Sequence, residues 1–539
     1  MGKGKRQIFF LALALFTFIF ISCTPDLEEP LDEIEETPSA HRPIPGGTLS
    51  FSIHTSDHLN PILELQEEAY QLLKLLFQPL LEPGKDHKAV GILAESWEIK
   101  DNGERYVFQL KKDVFWHDGE EFTADDVKFT IDALKDKDVT SPYKEYVEYI
   151  RSCKIVDKYS IEIIFHDRFK GNIEALSFPI LPKHRFKTTK EVMTANRWRP
   201  IGTGPYKLKS IQRDKEIQLE AYEDYWEDLP YIENIRVKLK NRGVDIIKSF
   251  ESKDVDLLIP MNNSWSQYGE DEHLSIYPYT TQRYHFLALN HENELFKDVR
   301  VREAIQLAIN REEMLQEIFL NNGTIVDVPL SPESWLFDHE HNPVEFQPGQ
   351  ARSLLKDAGW KQSKKGLLYK EVGDKELEFS FELIIIKGNK KREKEAQMIK
   401  DYLSSIGIEV KIMKHSSKEI QELVEEKDFD AILTGWGLSY VPDLSFAFHS
   451  SEIKKGRNFV SYKNREVNDL LVRASKYQEE TERKDIYIQL QRKLCQEYPY
   501  ISLYIETTGL VVNNRIKGPI DPTDFNVFNN IQKWYIEYE

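Results

Sequence analysis

The chain has 539 residues, 40% of them hydrophobic and 30% charged, with a mean hydropathy of -0.52. That length buries a large core and predicts two or three lobes. The formal net charge of -18 would be repelled by nucleic acid and by anionic lipid, so neither is expected as the main partner.

In chain order, Lys3, Lys5 and Arg6 precede an apolar run from Ile8 to Ile21, and Ser22-Cys23 follows. A basic stretch leading into an apolar one of this size reads as an export signal and is short for a membrane span. Phe20-Ile21-Ser22-Cys23 resembles the lipobox, in which the cysteine becomes the lipidated first residue of the mature chain; Phe20 replaces the usual Leu, Val or Ile. The expectation is a lipoprotein signal peptide over 1–22 and palmitate-type acylation at Cys23. The protein would then be extracytoplasmic, anchored by lipid at the outer face of the cytoplasmic membrane or in a periplasm. From Thr24 to Pro45, Asp26, Glu28, Glu29, Asp32, Glu33, Glu35 and Glu36 alternate with prolines. Such a stretch cannot offset the entropy of ordering, so 23–45 is expected to be a lipidated, disordered tether. Beyond Cys23 only Cys153 and Cys495 remain. An oxidising compartment would permit a disulfide, but two buried thiols are the simpler expectation.

The folded part begins at Gly46-Gly47 and reads as mixed α/β. Thr48 to Ile53 alternates like a half-buried strand, and Ala69, Leu72, Leu73 and Leu76 predict a helix within 67–81. Trp97 to Ile99 and Tyr106 to Leu110 flank Asp101-Asn102-Gly103, a hairpin signal. Thr123 is placed to cap a helix running toward Leu134, with Asp125 and Asp126 at its positive end. Asp298 caps a helix carrying Val301, Ala304, Ile305 and Ala308 on one face. Phe429 to Thr434 predicts a strand from which Gly435-Trp436-Gly437 emerges, and Ile486, Leu490 and Leu494 mark a helix ended by Pro499.

A series of motifs runs along this framework. It comprises Leu93-Ala94-Glu95-Ser96-Trp97, Tyr106-Val107-Phe108-Gln109-Leu110, Trp116-His117-Asp118-Gly119-Glu120, Phe122 to Val127, and Pro200-Ile201-Gly202-Thr203-Gly204-Pro205-Tyr206. Leu289-Asn290, Asp298 to Ala304, Ala358-Gly359-Trp360, Gly435-Trp436, Asn458-Phe459 with Tyr462, and Pro499 to Tyr504 complete it. In order and spacing it resembles the family 5 extracellular solute-binding proteins, which include the oligopeptide- and dipeptide-binding components of bacterial ABC importers. The resemblance implies a two-lobed periplasmic-binding-protein-like fold, type II with an extra domain, whose lobes close like a flytrap. Mapped here, lobe I takes 46–82, 200–282 and 513–539, the extra domain 83–199, and lobe II 283–512.

The residues call for no enzyme, metal or cofactor. Trp116-His117-Asp118-Gly119 is explained by a polar turn, and Gly202-Thr203-Gly204-Pro205 lacks the Lys-Ser/Thr of a phosphate loop. His339 and His341 flank Glu340 in a loop with no third and fourth ligand to name. No Gly-x-Ser-x-Gly or His-Glu-x-x-His occurs.

The resemblance places ligand contacts at Trp436, Gly437, Tyr440 and Asp443, and further ones at Thr55, Ser56 and Tyr284. The best-known peptide-binding relatives carry an aspartate three residues after the tryptophan; Ser439 stands there. In a second branch of the family the first aspartate falls where Val441 stands, leaving Asp443 as the acid for a ligand amine or as a helix cap. The expected partners are a peptide or other small oligomeric ligand, ABC permease subunits, and the membrane through the lipid anchor, with the protein itself a monomer. The same fold could take an oligosaccharide or a metal chelate. A peptide-sensing receptor without transport and an extracytoplasmic hydrolase are the other readings.

Overall fold

The computed structural model describes residues 43–538 except 57, 64–65, 167–172, 198, 260–262 and 477–478. The export segment, Cys23 and nearly all of the acidic spacer lie outside the described residues. Among the described residues no helix is long and apolar enough to cross a membrane.

One mixed sheet runs through the body. From one edge its strands are Tyr206–Gln212, Glu216–Ala221, Asn234–Lys240, Thr48–His54 and Leu257–Leu258, then Tyr500–Asn513, Leu274–Leu289, Ala431–Gly437, Ser380–Ile386 and Glu409–His415. Gly323–Ile325 pairs alongside Tyr500–Asn513. Two long strands carry the sheet from one half to the other. The start of Leu274–Leu289 lies against the end of Tyr500–Asn513, next to Leu257–Leu258, while its end, from Arg283 to Leu289, also pairs with Ala431–Gly437. Between these stretches the register slips, from Thr280 opposite Thr507 to Tyr284 opposite Ile505. Thr281, Gln282 and Arg283 fill the slip, where the Thr281 hydroxyl donates to the Glu506 carbonyl at 2.9 Å and accepts from Arg283 N at 3.2 Å. A bulge of this kind bends and twists a strand pair without cutting it.

Thr48–His54 differs from the expected half-buried strand, because Ser50 and Ser52 are buried along with Leu49, Phe51 and Ile53. It pairs parallel to Asn234–Lys240 and Leu257–Leu258, and strands inside such sheets are covered on both faces. Ser50 is satisfied, its N and its hydroxyl both donating to Asp256 Oδ2, at 2.8 and 2.6 Å.

A separate antiparallel sheet of Ala94–Lys100, Arg105–Leu110, Ser160–Phe165 and Ile150–Asp157 forms a second layer with the helix Ala124–Lys135. Its core joins Phe108, Trp116, Phe122 and Ile131. The predicted hairpin turns through Asp101, Asn102 and Gly103, all at positive φ (51°, 52° and 78°). Thr123 caps the helix by a reciprocal arrangement in which Thr123 N donates to Asp126 Oδ2 at 2.9 Å. Asp298 caps Val299–Ala308 through Arg300 N, as expected. Cys153 and Cys495 are both free thiols; Cys495 is buried, whereas Cys153 is only half-buried.

The first helix is shorter than its periodicity predicts, spanning Glu67–Lys74. Its end is set by tertiary contact. The Leu75 and Leu76 carbonyls, which a longer helix would use internally, accept from Tyr206 N (3.2 Å) and Gly204 N (2.9 Å). A Cβ on Gly202 would stand 1.7 Å from the Leu76 carbonyl oxygen, so glycine is required there by close approach. His117 locks this junction from the other side: its Nδ1 accepts from Gly202 N at 3.1 Å and its Nε2 donates to the Gly204 carbonyl at 3.0 Å. Both nitrogens are therefore committed to structure.

Burial lowers the pKa of His117 to about 4. The folded state thus holds a neutral imidazole that the unfolded chain would protonate below about 6.5, so this contribution is complete above pH 6.5 and is lost as pH falls toward 4. Urea unfolding at pH 7 and pH 4.5 should show His117→Gln flattening the acid decline by up to about 3 kcal/mol relative to wild type. Parallel slopes would show that His117 does not titrate in this window.

Candidate functional site

A recessed cavity of about 330 Å³ lies between the part of the mixed sheet that carries residues 436–444 and the separate antiparallel layer. Residues 436–444, Pro329 to Ser331 and Ser334 form one wall; His87, Glu145, Tyr146 and Tyr149 form the other; Gln282, from the register slip, lies between them. Larger hollows, of about 570, 1070, 720 and 450 Å³, open elsewhere on the body, and none of the expected binding residues lines them.

Trp436, Gly437, Tyr440 and Asp443 all line the cavity. The strand beneath them runs Ala431–Gly437, so it starts later and ends later than predicted, and Trp436 is still paired, opposite Tyr284. Gly435 permits this pairing, because a Cβ there would stand 2.6 Å from the Tyr284 carbonyl oxygen. The half-buried Trp436 ring is held edge-on by Phe446 and Phe459, at centroid distances of 5.5 and 5.8 Å, which fixes it as a wall. Tyr440 meets His87 edge-on at 5.0 Å and Phe525 at 5.4 Å, joining both sides. Asp443 uses Oδ1 to accept from Ser445 N at 2.8 Å, in the turn that precedes the short helix Ser445–Phe448, while lining the cavity.

Three expected contacts lie elsewhere. Tyr284 is fully buried and its hydroxyl bonds Ser502 Oγ at 2.6 Å, because its position in the crossing strand turns the ring into the core against Phe286. Thr55 continues the edge of its strand, with N bonded to the Lys240 carbonyl and Oγ1 to Asn241 Oδ1. The Ser56 hydroxyl donates to the His58 carbonyl at 2.8 Å, within its own loop. Neither Thr55 nor Ser56 lines the cavity.

Sequence reasoning missed the opposite wall. Tyr143, Tyr146 and Tyr149 recur at three-residue spacing around the short helix Lys144–Val147, and such spacing gathers rings on one side. Burial pushes the Tyr146 and Tyr149 phenols up, with Asp443 adding to the second, so both remain protonated donors.

The halves touch around this cavity. Arg457 pairs with Glu145 at 3.0 Å, Lys88 with Glu480 at 2.6 Å, Arg283 with Glu67 at 2.8 Å, and Trp335 N donates to the Asp86 carbonyl at 2.9 Å. Arg483 and Glu174, both buried, pair at 3.1 Å between the helix Glu480–Glu497 and the turn Ile173–Leu176. These contacts bridge the two sides of the cavity.

His341 approaches Asp327 and Cys495, a grouping with metal-like spacing. Arg311 Nη1 already holds Asp327 Oδ1 at 2.7 Å while His341 Nε2 holds Oδ2 at 2.8 Å, so the carboxylate is engaged on both oxygens and a cation would face the guanidinium. Burial raises the Cys495 thiol, which disfavours a thiolate ligand.

The profile of the bacterial extracellular solute-binding proteins, family 5 Middle, matches residues 88–455. The oligopeptide-binding protein AppA of Bacillus subtilis is 31% identical over 99% of this chain and 100% of its own length. Its structure in complex with a nonapeptide superimposes with a TM-score of 0.70 at 29% identity, covering 92% of this chain and 100% of that one. The dipeptide-binding protein of Escherichia coli is 24% identical over 81% of this chain and 85% of its own. A chain with this profile match and this full-length similarity belongs to the bacterial extracellular solute-binding proteins of family 5.

Proposed function

We propose that this protein is the substrate-binding lipoprotein of an ABC importer, capturing peptides outside the membrane and delivering them to the permease subunits as a monomer. The observation that carries the reading is the cavity whose walls come from both sides of the cleft. A recessed site strengthens hydrogen bonds to a peptide backbone, and the phenols of Tyr146 and Tyr149 with the indole wall of Trp436 offer contacts that tolerate varied side chains. The full-length similarity to a B. subtilis protein named as oligopeptide-binding supports peptides as the cargo.

In this reading 46–82, 200–282 and 513–539 move as lobe I with 83–199 attached, and 283–512 moves as lobe II. Rotation is absorbed at Thr281 to Arg283, where the register slips. No catalytic step is part of the proposal. Cys23 carries the acyl anchor, and the acidic segment after it spaces the body from the membrane.

Mass spectrometry of ligand carried through purification, followed by calorimetry with a broad peptide pool, tests the cargo; peptides should be recovered and bind, and recovery of only sugars or chelates would overturn the assignment. Small-angle scattering should show the radius of gyration falling when a bound peptide is restored to stripped protein. An unchanged radius at saturation would remove the hinge role given to residues 281–283. Cys23→Ala should leave the detergent phase in a partitioning experiment with the unfolding midpoint unchanged, and a variant that partitions like wild type would rule out acylation at Cys23.

A further inference from the structure

Two carboxylates line the cavity: Glu145, held by Arg457 at 3.0 Å, and Asp443, partly spent on Ser445 N. A third, Asp524, lies beside the cavity in the C-terminal segment after Pro522. Its Oδ2 accepts from Gln282 N at 3.2 Å, and Gln282 lines the cavity. Its backbone carbonyl accepts from Gln71 Nε2 at 3.0 Å, which fixes the segment on the first helix. Among the described residues no cation forms an ion pair with the Asp524 carboxylate.

The surroundings accentuate this. Arg283 is the nearest guanidinium and is already shared between Glu67, at 2.8 Å, and Glu506, at 3.3 Å. His285 is taken by Glu506 at 2.9 Å, and His87 lies 3.8 Å from Glu333. Lys74 sits over the Phe525 ring, 3.3 Å from its centroid, and forms no ion pair with Asp524. Glu67 from the first helix and Glu333 from the loop before Ser334 add negative charge, while Tyr279 and Tyr440 contribute neutral phenols. Acids therefore outnumber cations at this end of the cleft, which also holds the aromatic rings of Tyr440 and Phe525.

We propose that Asp524, rather than Asp443, is the carboxylate that receives a cationic group of the ligand, such as a peptide α-amine. This rests on the peptide-binding reading and names the charge that its site selects. Burial, reinforced by Glu67, pushes the Asp524 carboxyl up to about 7. The empty cleft then holds it partly protonated near neutrality. An arriving ammonium favours the carboxylate, and the proton leaves to solvent. Binding consequently weakens as pH falls below about 7, by as much as tenfold per unit, because protonation competes with the ligand.

The probe is a nonapeptide without Lys or Arg, chosen from the pool as a wild-type binder and prepared with a free and with an acetylated N-terminus. Asp524→Asn keeps an acceptor for Gln282 N, so the fold is retained, as the unfolding midpoint would verify. Calorimetry should show it weakening the free-amine peptide about 30-fold or more, as for one side of a desolvated charge pair, and the acetylated one less than about threefold. Between pH 7.5 and 5.5 the wild type should lose affinity for the free amine and release a proton, seen as buffer-dependent heat; the variant should do neither. Equal losses for both peptides, or none, would overturn the proposal, as would discrimination by Asp443→Asn instead. A wild type that binds no peptide at all would remove the underlying reading and this proposal with it.

Discussion

The pairing of Leu274–Leu289 with Tyr500–Asn513 is the constraint on which the rest depends. Those two strands give both halves a common sheet, so neither half can drift from the other without breaking main-chain hydrogen bonds. The freedom that remains is concentrated where the ladder slips, at Thr281 to Arg283. The same three residues supply Gln282 to the cavity and Arg283 to the charge network with Glu67 and Glu506. In the proposed reading hinge and binding surface are thus one piece of chain, and a ligand that touches Gln282 would act directly on the element that bends.

Around that axis the site is assembled from parts distant in sequence. The wall at residues 436–444 is stiff because Trp436 is still paired within a strand and its ring is wedged between Phe446 and Phe459. The facing wall is a short helix bearing tyrosines, anchored on a separate sheet by the core that includes Trp116 and Phe122. One side offers a rigid indole and the other a set of protonated hydroxyls. That combination suits recognition of shape and backbone polarity more than of any single side chain.

The sequence was most legible where local chemistry decides structure. The Asp101-Asn102-Gly103 turn, the Thr123 and Asp298 caps and the helix ahead of Pro499 needed only neighbours within a few residues. The motif series located Trp436 and Tyr440, both of which line the cavity. Legibility failed where a distant partner decides. The first helix ends early because Gly204 and Tyr206 claim its last carbonyls, and Tyr284 turns inward because of its place opposite Trp436 and near Ser502. Asp524 carried no local signal, since its setting is made by Gln282, Glu67 and Glu333.

The buried pair of Arg483 and Glu174 has a bearing on which ligands the cleft can tolerate. Two opposite charges leaving water together gain little net energy from each other, so this pair adds almost nothing to the depth of the closed state. A near miss is different: an oversized ligand that props the halves slightly apart leaves a guanidinium and a carboxylate stripped of water and out of reach, at several kcal/mol. In a protein that closes around its cargo the pair would therefore work as a gauge on bulk, indifferent to cargo that fits and penalising cargo that does not, from a position that need never touch the ligand.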